Sequence, residues 1–406
     1  MKHASRAISL GAVLACVLGT MAFGIVQKAP CADGAWEANE QYRLLCYSDI
    51  VPLVGTEQLA GGRLPFLDAC RESENNCDEY PVLTMYFMRI AAWMGGTGFA
   101  GFYYANALLL AGCAVAAGAA LWRLAGGRAL WFALAPTLFV YGTMNWDLLA
   151  VALATGTLVA WARGRDEMSG VLLGLGAAAK FYPALLVVPL FLQGMHDREP
   201  DRSVRILWWS AGTAIAVNLP FVLVAPNAWM EFFRFNAERT ADWDSLWNIA
   251  ADLWSAATLR TGVINVASAI CFVMLAGGLW WAKARRDRGF HRWTLAFPII
   301  VAFLLTNKVY SPQYGLWLLP LFVLAMPSFR AFAAFQVADV AVFLTRFRFF
   351  GDYAGEPWGW SQRWFQVAVL VRAVILAWCL VVWLRAETQP LVVRDPDQAV
   401  LDPVPE

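Results

Sequence analysis

Residues 7–26 read AISLGAVLACVLGTMAFGIV, twenty consecutive residues without a charged side chain. A helix needs about 20 mostly apolar residues to cross the hydrocarbon core of a membrane. Comparable apolar runs, each with at most one charged residue, recur along the chain, at residues 100–122, 129–146, 147–162, 206–226, 262–282, 293–306, 311–327, 331–345 and 364–384. Shorter apolar runs lie at residues 81–95 and on either side of Lys180. The pattern predicts an all-α polytopic membrane protein with about 10–13 transmembrane helices.

The composition of the 406 residues agrees with this class. Hydrophobic residues make up 60% of the chain and charged residues 15%, whereas soluble domains contain about 25% charged residues. The 31 basic and 30 acidic residues leave a net charge of +1. Such a balance excludes a disordered chain, which needs high net charge, and an electrostatic nucleic-acid binder, which needs a basic surplus. We therefore expect membrane lipids, and no nucleic acid, as partners.

We expect residues 1–385 to form a single integral membrane domain. Residues 386–406 contain four prolines and predict a disordered cytoplasmic tail. The basic residues before the run at 7–26 also fit a signal peptide. However, the apolar run continues beyond Cys16 to Val26, which favours an uncleaved helix over a processed leader.

Basic residues predict the orientation of the chain, because Lys and Arg concentrate in cytoplasmic loops. The basic segments are the start of the chain and residues 163–165, 198–205 and 283–292. If these are cytoplasmic, the segments outside are 27–79, 227–247, 307–312 and 346–362. Arg123 and Arg128 conflict with this topology unless residues 81–95 or their neighbour do not cross fully. The chain is thus predicted to be a multi-pass protein of the plasma membrane.

The first outer loop, residues 27–79, is rich in acids and cysteines. It contains ten of the 30 acidic residues and half of the eight cysteines, namely Cys31, Cys46, Cys70 and Cys77. Disulfides form in oxidising compartments, and four cysteines allow three pairings. Cys31 with Cys46 and Cys70 with Cys77 are the most local pairs. A zinc site is the alternative, but no His lies near and the spacing differs from that of zinc ligands. We expect no metal.

Four stretches, in this order, resemble glycosyltransferase family 87, the polyprenyl-phosphate-mannose-dependent alpha-mannosyltransferases of actinobacteria. They are CYSD at 46–49 with EYPVL at 79–83, NWDLL at 145–149, GLGAAAKFYP at 174–183 and NKVYSPQY at 307–314. The resemblance implies a GT-C-like helical bundle with a large first extracytoplasmic loop. Family members often carry His-rich sequence after the late Ser-Pro, whereas Gln313 and Tyr314 follow it here. This departure leaves the donor sugar and the acceptor open.

The resemblance also implies a reaction and its residues. The donor would be a polyprenyl-phosphate sugar similar to polyprenyl-phosphate mannose, and the acceptor an extracytoplasmic glycolipid or glycan. Asp49 occupies the position of the general base in an inverting transfer, which needs one carboxylate to accept the proton of the acceptor hydroxyl. No further cofactor is required. The candidate donor- or acceptor-binding residues are Glu79, Tyr80, Asn145, Asp147, Lys180, Tyr182, Arg239, Lys308 and Gln313.

A multi-pass transporter or lipid flippase is the alternative function. Such proteins bind their substrate near the middle of the membrane on broken helices, and Pro183 close to Lys180 predicts a helix break there. The sequence has no convincing internal repeat, and its outer loop is rich in acids and cysteines. Both features favour the enzyme.

Overall fold

A computed structural model of the chain describes residues 8–70, 77–96, 98–253 and 260–393. Every regular element in these ranges is a helix, which confirms the predicted all-α class. The α-helices are α1 (Leu10–Ala32), α2 (Glu40–Arg43), α3 (Ile50–Thr56), α4 (Val82–Gly95), α5 (Phe99–Ala125), α6 (Leu130–Ala133), α7 (Pro136–Tyr141), α8 (Asp147–Ala162), α9 (Asp166–Ala179), α10 (Val187–His196), α11 (Pro200–Val224), α12 (Pro226–Glu238), α13 (Leu246–Leu253), α14 (Thr261–Arg286), α15 (Ala296–Thr306), α16 (Gly315–Ala325), α17 (Phe329–Tyr353) and α18 (Gln362–Arg385). Short 3-10 helices lie at Glu37–Asn39, Leu59–Gly61, Gly126–Ala129, Tyr182–Leu186, Arg292–Leu295 and Pro312–Tyr314.

Several of these helices have the length and composition to cross a membrane. In the described ranges, five helical segments are long and apolar enough, namely Leu10–Ala32, Phe99–Ala133, Pro200–Val224, Thr261–Arg286 and Gln362–Arg385. Five further apolar helices have 10–17 residues, namely Val82–Gly95, Asp147–Ala162, Tyr182–His196, Arg292–Thr306 and Pro312–Ala325. The helix α17 is 25 residues long and carries one buried charged side chain, that of Asp339. Apart from the run at residues 129–146, these segments follow the predicted apolar runs and form the helical bundle.

The prediction of one helix over residues 129–146 is wrong. The helix α6 ends at Ala133, and Ala135 adopts an extended backbone conformation directly before Pro136, the first residue of α7. Proline disfavours a helical conformation in the residue before it and cannot donate a backbone hydrogen bond. A turn after α7 then brings Asn145 to the first residues of α8. As a result, the polar side chain of Asn145 lies at the end of an otherwise apolar segment.

The four segments that were predicted to lie on one side of the membrane meet at one end of the bundle. Asn39 of the first loop donates a hydrogen bond to the carboxylate of Glu356 over 3.0 Å. The backbone amide of Asp242 donates to the carbonyl oxygen of Lys308 over 2.8 Å, and Arg346 pairs with Asp242 at 3.7 Å. These contacts join the segments 27–79, 227–247, 307–312 and 346–362. We refer to this end as the loop end.

The position of α4 removes the topological conflict created by Arg123 and Arg128. The helix follows the first loop, and its last residue, Gly95, packs backbone to backbone against Gly101 at the start of α5. The helix α5 then runs to the opposite end, where Trp122 donates a hydrogen bond to the carbonyl of Ile8. Both ends of α4 therefore lie at the loop end, and α4 does not cross the bundle.

The start of the predicted tail is packed against the bundle. Lys283 donates to carbonyl oxygens of the last turn of α18, each at 3.2 Å, and the indole of Trp293 donates to the carbonyl of Gln389. Residues 386–393 thus contact the end opposite the loop end, which differs from the prediction that disorder begins at residue 386. The rest of the predicted tail, residues 394–406, lies outside the described residues.

Glycines allow α9 and α11 to approach closely. A Cβ atom on Gly174 would lie 2.5 Å from the carbonyl oxygen of Ser210, and a Cβ atom on Gly170 would lie 2.6 Å from the Cβ atom of Trp209. Small residues four apart are a common basis of close helix packing in membranes. The pair α9–α11 is therefore a tight contact that supports the segment after α9.

We expect Gly174→Ala to lower the thermal unfolding midpoint of the purified protein. Overpacking of this kind costs about 1–3 kcal/mol, because the helices must separate to admit the methyl group. The matched control is Gly277→Ala in α14, where no atom lies within 4 Å of the added Cβ atom. That variant should unfold at the same temperature or higher, since alanine is the better helix former. A midpoint for Gly174→Ala at or above that of the control would contradict the packing argument.

Candidate active site

A cavity of about 1090 Å³ opens among the segments of the loop end. Nine of the ten predicted catalytic and binding residues line it, namely Asp49, Glu79, Tyr80, Asn145, Lys180, Tyr182, Arg239, Lys308 and Gln313. The tenth, Asp147, is fully buried behind the cavity wall. Residues that are up to 264 positions apart in the sequence therefore share one concave site, which is the usual form of a small-molecule binding site.

Asp49 is held in the cavity wall by its backbone. Its amide donates to the carbonyl of Met144 over 2.9 Å, and the adjacent hydroxyl of Ser48 donates to the carbonyl of Thr143 over 2.7 Å. The residue stands directly before α3, and its side chain makes no capping bond to that helix. The carboxylate is thus left to interact with other side chains and with the contents of the cavity.

Two neighbours donate hydrogen bonds to the carboxylate of Asp49. The hydroxyl of Tyr47 donates to Oδ1 over 2.9 Å, and Nδ2 of Asn145 donates to Oδ2 over 2.8 Å. An ionised carboxylate has about four acceptor positions, so two bonds leave capacity for a proton from a bound ligand. The same amide nitrogen of Asn145 also donates to the hydroxyl of Tyr80 over 2.9 Å. The amide fixes the orientation of Asp49 relative to the rest of the site.

A lysine lies next to Asp49 in this network. The ammonium of Lys180 donates to Oδ1 of Asn145 over 3.2 Å and to Oδ2 of Asp147 over 2.9 Å. The other oxygen of Asp147 accepts from the indole of Trp317 over 2.7 Å. Because Asp147 is fully buried, it serves to hold Lys180 and Trp317 and does not contact the cavity. Asp147 was predicted to bind the donor or the acceptor. The structure instead places it beneath the site, where it supports Lys180 and Trp317.

A helix break gives Lys180 its position. The helix α9 ends at Ala179, and Lys180 has an extended backbone with φ −156° and ψ 147°. Pro183 stands at the beginning of the following 3-10 helix, where a continuous α-helix would lose a hydrogen bond. The hydroxyl of Thr84 donates to the carbonyl of Ala179 over 2.6 Å and satisfies the end of α9. The break turns the lysine side chain into the cavity instead of into lipid.

Three aromatic rings form a stack beside Lys180. The ring of Trp317 lies between Tyr182 and Tyr314, with centroid distances of 4.3 Å and 3.9 Å. All three rings line the cavity, and the Lys180 ammonium lies 5.5 Å from the centroid of Tyr314. The stack forms an aromatic wall of the cavity next to the lysine side chain.

Arg239 and Lys308 also line the cavity. The ammonium of Lys308 donates to the carbonyls of Ala237, over 3.1 Å, and Arg239, over 2.6 Å, at the end of α12. Lys308 therefore fixes the C-terminus of α12, and burial together with the charge of Arg239 lowers the pKa of its ammonium. The guanidinium of Arg239 pairs more loosely with Asp242 at 3.4 Å and stays half-buried. Of these two cations, Arg239 is the more available to a ligand.

Glu79 and Tyr80 enter the cavity from the end of the first loop. Burial raises the pKa of the Glu79 carboxyl, and the nearby charge of Arg239 opposes that shift. Burial and the charge of Asp49 raise the pKa of the Tyr80 hydroxyl well above its usual range. Tyr80 therefore stays a neutral hydrogen-bond partner at physiological pH. Gln313, from the 3-10 helix before α16, is buried in the same wall.

Sequence reasoning missed three residues of the site. Tyr47 bonds to Asp49, Trp317 bonds to Asp147, and Arg346 lines the cavity while pairing with Asp244 at the end of α17. Arg346 directly follows the apolar run 331–345, and a charge at the edge of such a run is a usable signal of function. Trp317 gave no such signal, because tryptophan is common in membrane helices and at their interfaces.

One side of the cavity is apolar. It is lined by Phe232 and Phe235 of α12, Phe272 of α14 and Phe303 of α15. The helix α14 borders this region and is mostly exposed on the surface of the bundle. The cavity thus combines a polar part, with two carboxylates and four basic side chains, and an apolar part next to an exposed membrane-type helix. This arrangement fits a ligand with a charged head and a hydrocarbon chain.

Disulfides stabilise the first loop. The structure joins Cys31 to Cys46 and Cys70 to Cys77, the two most local pairings. Cys46 lies three residues before Asp49, so the first bridge attaches the segment of the proposed base to the end of α1. In the described ranges, no group of three or more His, Cys, Asp or Glu side chains is placed to hold a metal ion.

We expect Cys31→Ser with Cys46→Ser to reduce both stability and activity. A bridge that closes a loop of 15 residues contributes about 3 kcal/mol, and its loss also loosens the position of Asp49. The control pair, Cys70→Ser with Cys77→Ser, opens a loop of 7 residues farther from Asp49. Thermal unfolding and activity assays of both double variants make the comparison. Equal losses of activity in the two would contradict the proposed role of the first bridge.

Among curated protein sequences, a search gave no match for this chain. The crystal structure of ArnT from Cupriavidus metallidurans bound to undecaprenyl phosphate resembles this chain with a TM-score of 0.45 and 16% sequence identity, over 93% of this chain and 77% of that chain. The model of glycosyltransferase family 87 matches residues 79–307, more than half of the chain. The chain therefore belongs to glycosyltransferase family 87 and is a membrane glycosyltransferase, as the sequence resemblance predicted.

Proposed function

We propose that this protein transfers a sugar, mannose by family resemblance, from a polyprenyl-phosphate donor to an extracytoplasmic lipid- or glycan-linked acceptor. The observation that carries the proposal is the pairing of Asp49 with Lys180 through Asn145 on the wall of one cavity. A carboxylate that accepts a proton and a cation that faces the same space are the two groups that the reaction needs. The family match begins at Glu79, so the role of Asp49 rests on this geometry and on its motif.

The reaction is an inverting displacement at the anomeric carbon. The oxygen of the acceptor hydroxyl attacks C1 of the donor sugar, and the bond between C1 and the phosphate oxygen breaks. The proton of the hydroxyl passes to the carboxylate of Asp49, and the electron pair of the broken bond leaves with the polyprenyl phosphate. Lys180 and Arg239 stabilise the negative charge that develops on this phosphate. No protonated acid is required, because a phosphate leaves readily as an anion.

The two parts of the cavity support a lipid-linked donor. The phenylalanines of α12, α14 and α15 offer an apolar path for a polyprenyl chain, whereas the polar part takes the phosphate and the sugar. Glu79, Tyr80 and Gln313 supply carboxylate, hydroxyl and amide groups of the type that binds sugar hydroxyls. We assign them to sugar recognition. The donor is the substrate, and the proposal requires no resident cofactor.

The proposed location is the plasma membrane, with the cavity facing the extracytoplasmic side. The support is the distribution of charge in a single membrane domain. Basic segments cluster away from the loop end, and cytoplasmic segments are enriched in Lys and Arg. The two disulfides at the loop end require an oxidising compartment and agree with this orientation.

Glycolipid and glycan profiling of a deletion strain tests the function. We expect the strain to lose one class of mannosylated or otherwise glycosylated envelope product, and the wild-type gene to restore it. A gene that encodes Asp49→Asn should not restore it. An unchanged glycan profile together with altered solute uptake or altered lipid distribution would favour the alternative, a transporter or lipid flippase.

A further inference from the structure

A cluster of buried charged side chains lies in the first loop and has no role in the reaction as described above. Its members are Glu57, directly after α3, Arg63 and Asp78, which are at most 6% exposed and lie outside the cavity lining. The guanidinium of Arg63 donates to both oxygens of Asp78, over 2.8 Å and 3.1 Å, and lies 3.6 Å from the carboxyl group of Glu57. Hydrophobic side chains often stabilise a fold as well as a buried ion pair does, so stability alone does not account for these residues.

Glu57 holds the backbone of two later residues of the loop. Its Oε2 accepts from the backbone amide of Asp78 over 2.7 Å, and its Oε1 accepts from that of Glu79 over 3.3 Å. Asp78 has a φ of 68°, in the left-handed region that residues with a side chain rarely adopt. Such a conformation persists where the surrounding contacts impose it. The contacts with Glu57 and Arg63 therefore fix the turn that leads into Glu79.

This turn places Glu79 in the cavity wall with an unused carboxyl group. Glu79 lines the cavity, and its side chain makes no hydrogen bond or ion pair within the part of the chain that the structure describes. A carboxylate accepts hydrogen bonds from hydroxyl groups, and it repels other anions. The carboxyl group of Glu79 is therefore suited to the sugar of a lipid-linked donor and not to its phosphate.

The next residue, Tyr80, connects this position to the reacting groups. Its hydroxyl accepts a hydrogen bond from Nδ2 of Asn145 over 2.9 Å, and the same nitrogen donates to Asp49. Glu79 thus lies one residue from a side chain that shares a hydrogen-bond donor with the proposed base. A displacement of the segment 78–80 would change how the sugar lies relative to Asp49.

We propose that Glu57 is a positioning residue that holds Glu79 against the hydroxyl groups of the sugar of the donor. The proposal deepens the proposed function and rests on it, because it takes the cavity as the site of a polyprenyl-phosphate sugar. Glu57 does not contact the substrate. It acts through the backbone amides of Asp78 and Glu79, and Arg63 completes the support by holding the side chain of Asp78.

The test compares binding of the sugar with binding of the lipid phosphate in the purified full-length protein. Glu57→Gln keeps the size of the side chain, but one of its ends becomes an NH₂ group, which does not accept from a backbone amide. We expect the KM for polyprenyl-phosphate mannose to rise roughly tenfold, the usual effect of one lost hydrogen bond to a charged group. The inhibition constant of polyprenyl phosphate, which has no sugar, should stay at its wild-type value, and kcat should change less than KM.

Two further variants show whether Glu57 acts through Glu79. Glu79→Ala should raise the same KM without a change in the inhibition constant. The double variant Glu57→Gln with Glu79→Ala should be no worse than Glu79→Ala alone, because the two residues act as one unit. The matched control is Asp68→Asn in the same loop, since the carboxylate of Asp68 also accepts from a backbone amide, that of Leu64, over 2.7 Å. The control should leave both constants unchanged.

A KM and an inhibition constant that rise together in Glu57→Gln would indicate a general loosening of the loop and would overturn the proposal. A wild-type KM, or additive effects in the double variant, would overturn it as well. Thermal unfolding shows whether each variant is folded. If Glu57→Gln does not fold, Glu57→Asp takes its place with the same expected results, because it keeps the charge beside Arg63 but is too short to reach both amides.

The activity of Asp49→Asn and of the wild type distinguishes this inference from the proposed function. If Asp49→Asn is inactive and Glu57→Gln keeps the wild-type constants, the role of Glu57 fails and the role of Asp49 stands. If the wild-type protein transfers sugar from no polyprenyl-phosphate donor, the proposed function fails, and the role of Glu57 fails with it.

Discussion

Asp49→Asn is expected to lower the rate of sugar transfer on the order of 10³-fold, because general-base catalysis contributes about 10²- to 10⁴-fold. The amide keeps the size of the side chain but does not accept the proton of the acceptor hydroxyl. Asn145 would keep its bond to the remaining oxygen, and the hydroxyl of Tyr47, which now donates, would accept from the new amide nitrogen, so the protein should still reach the membrane. Transfer from a radiolabelled polyprenyl-phosphate sugar in isolated membranes measures the effect.

The matched control for this variant is Glu37→Gln. Glu37 lies in the same first loop, is exposed and does not line the cavity. Glu37→Gln removes one negative charge from the loop, as Asp49→Asn does, and this variant should keep wild-type activity. Full activity of Asp49→Asn, or an equal loss in both variants, would contradict the assignment of Asp49.

Lys180→Met is expected to reduce both catalysis and stability. Removal of one group that stabilises developing negative charge costs about 10²- to 10³-fold in kcat. The same substitution leaves the fully buried Asp147 without its cation, and breaking a buried ion pair costs about 3–5 kcal/mol. Thermal unfolding of the purified protein and sugar-transfer assays report the two effects separately.

The double variant Lys180→Met with Asp147→Asn separates these two effects. Asparagine at position 147 keeps an oxygen that accepts the indole hydrogen bond of Trp317 but needs no counter-charge. We expect the double variant to regain most of the lost stability and none of the lost activity. A double variant that recovers activity would show that Lys180 acts only through folding. It would contradict the role of Lys180 at the leaving phosphate.

The membrane class and much of the site were accessible from sequence for physical reasons. In lipid, a long apolar segment satisfies its backbone hydrogen bonds in few structures. The helices could therefore be predicted directly from the pattern of apolar residues. Polar residues at the edges of such runs are rare and costly, and they drew attention to Asn145 and Lys180. The cysteines of the first loop were paired by proximity along the chain, and the structure joins the same pairs.

Other features required the three-dimensional contacts. The break between α6 and α7 was hidden, because an apolar run looks continuous even when one proline divides it. The burial of Asp147 and the contact of Lys308 with the end of α12 depend on residues that are far away in the sequence. A charged residue type alone does not show whether its side chain binds a ligand or stabilises the fold. Lys28 lies within the segment predicted as the first outer loop, although it is a buried residue of α1.

The most direct test of the account is sugar transfer by the purified wild-type protein in lipid nanodiscs. The donor is a radiolabelled polyprenyl-phosphate mannose, and the acceptors are glycolipids and glycans extracted from the deletion strain. We predict that label moves to an acceptor with inversion at the anomeric carbon and that Asp49→Asn moves none. A protein that transfers no label from any polyprenyl-phosphate sugar, or a product with retained configuration, would contradict the central claim.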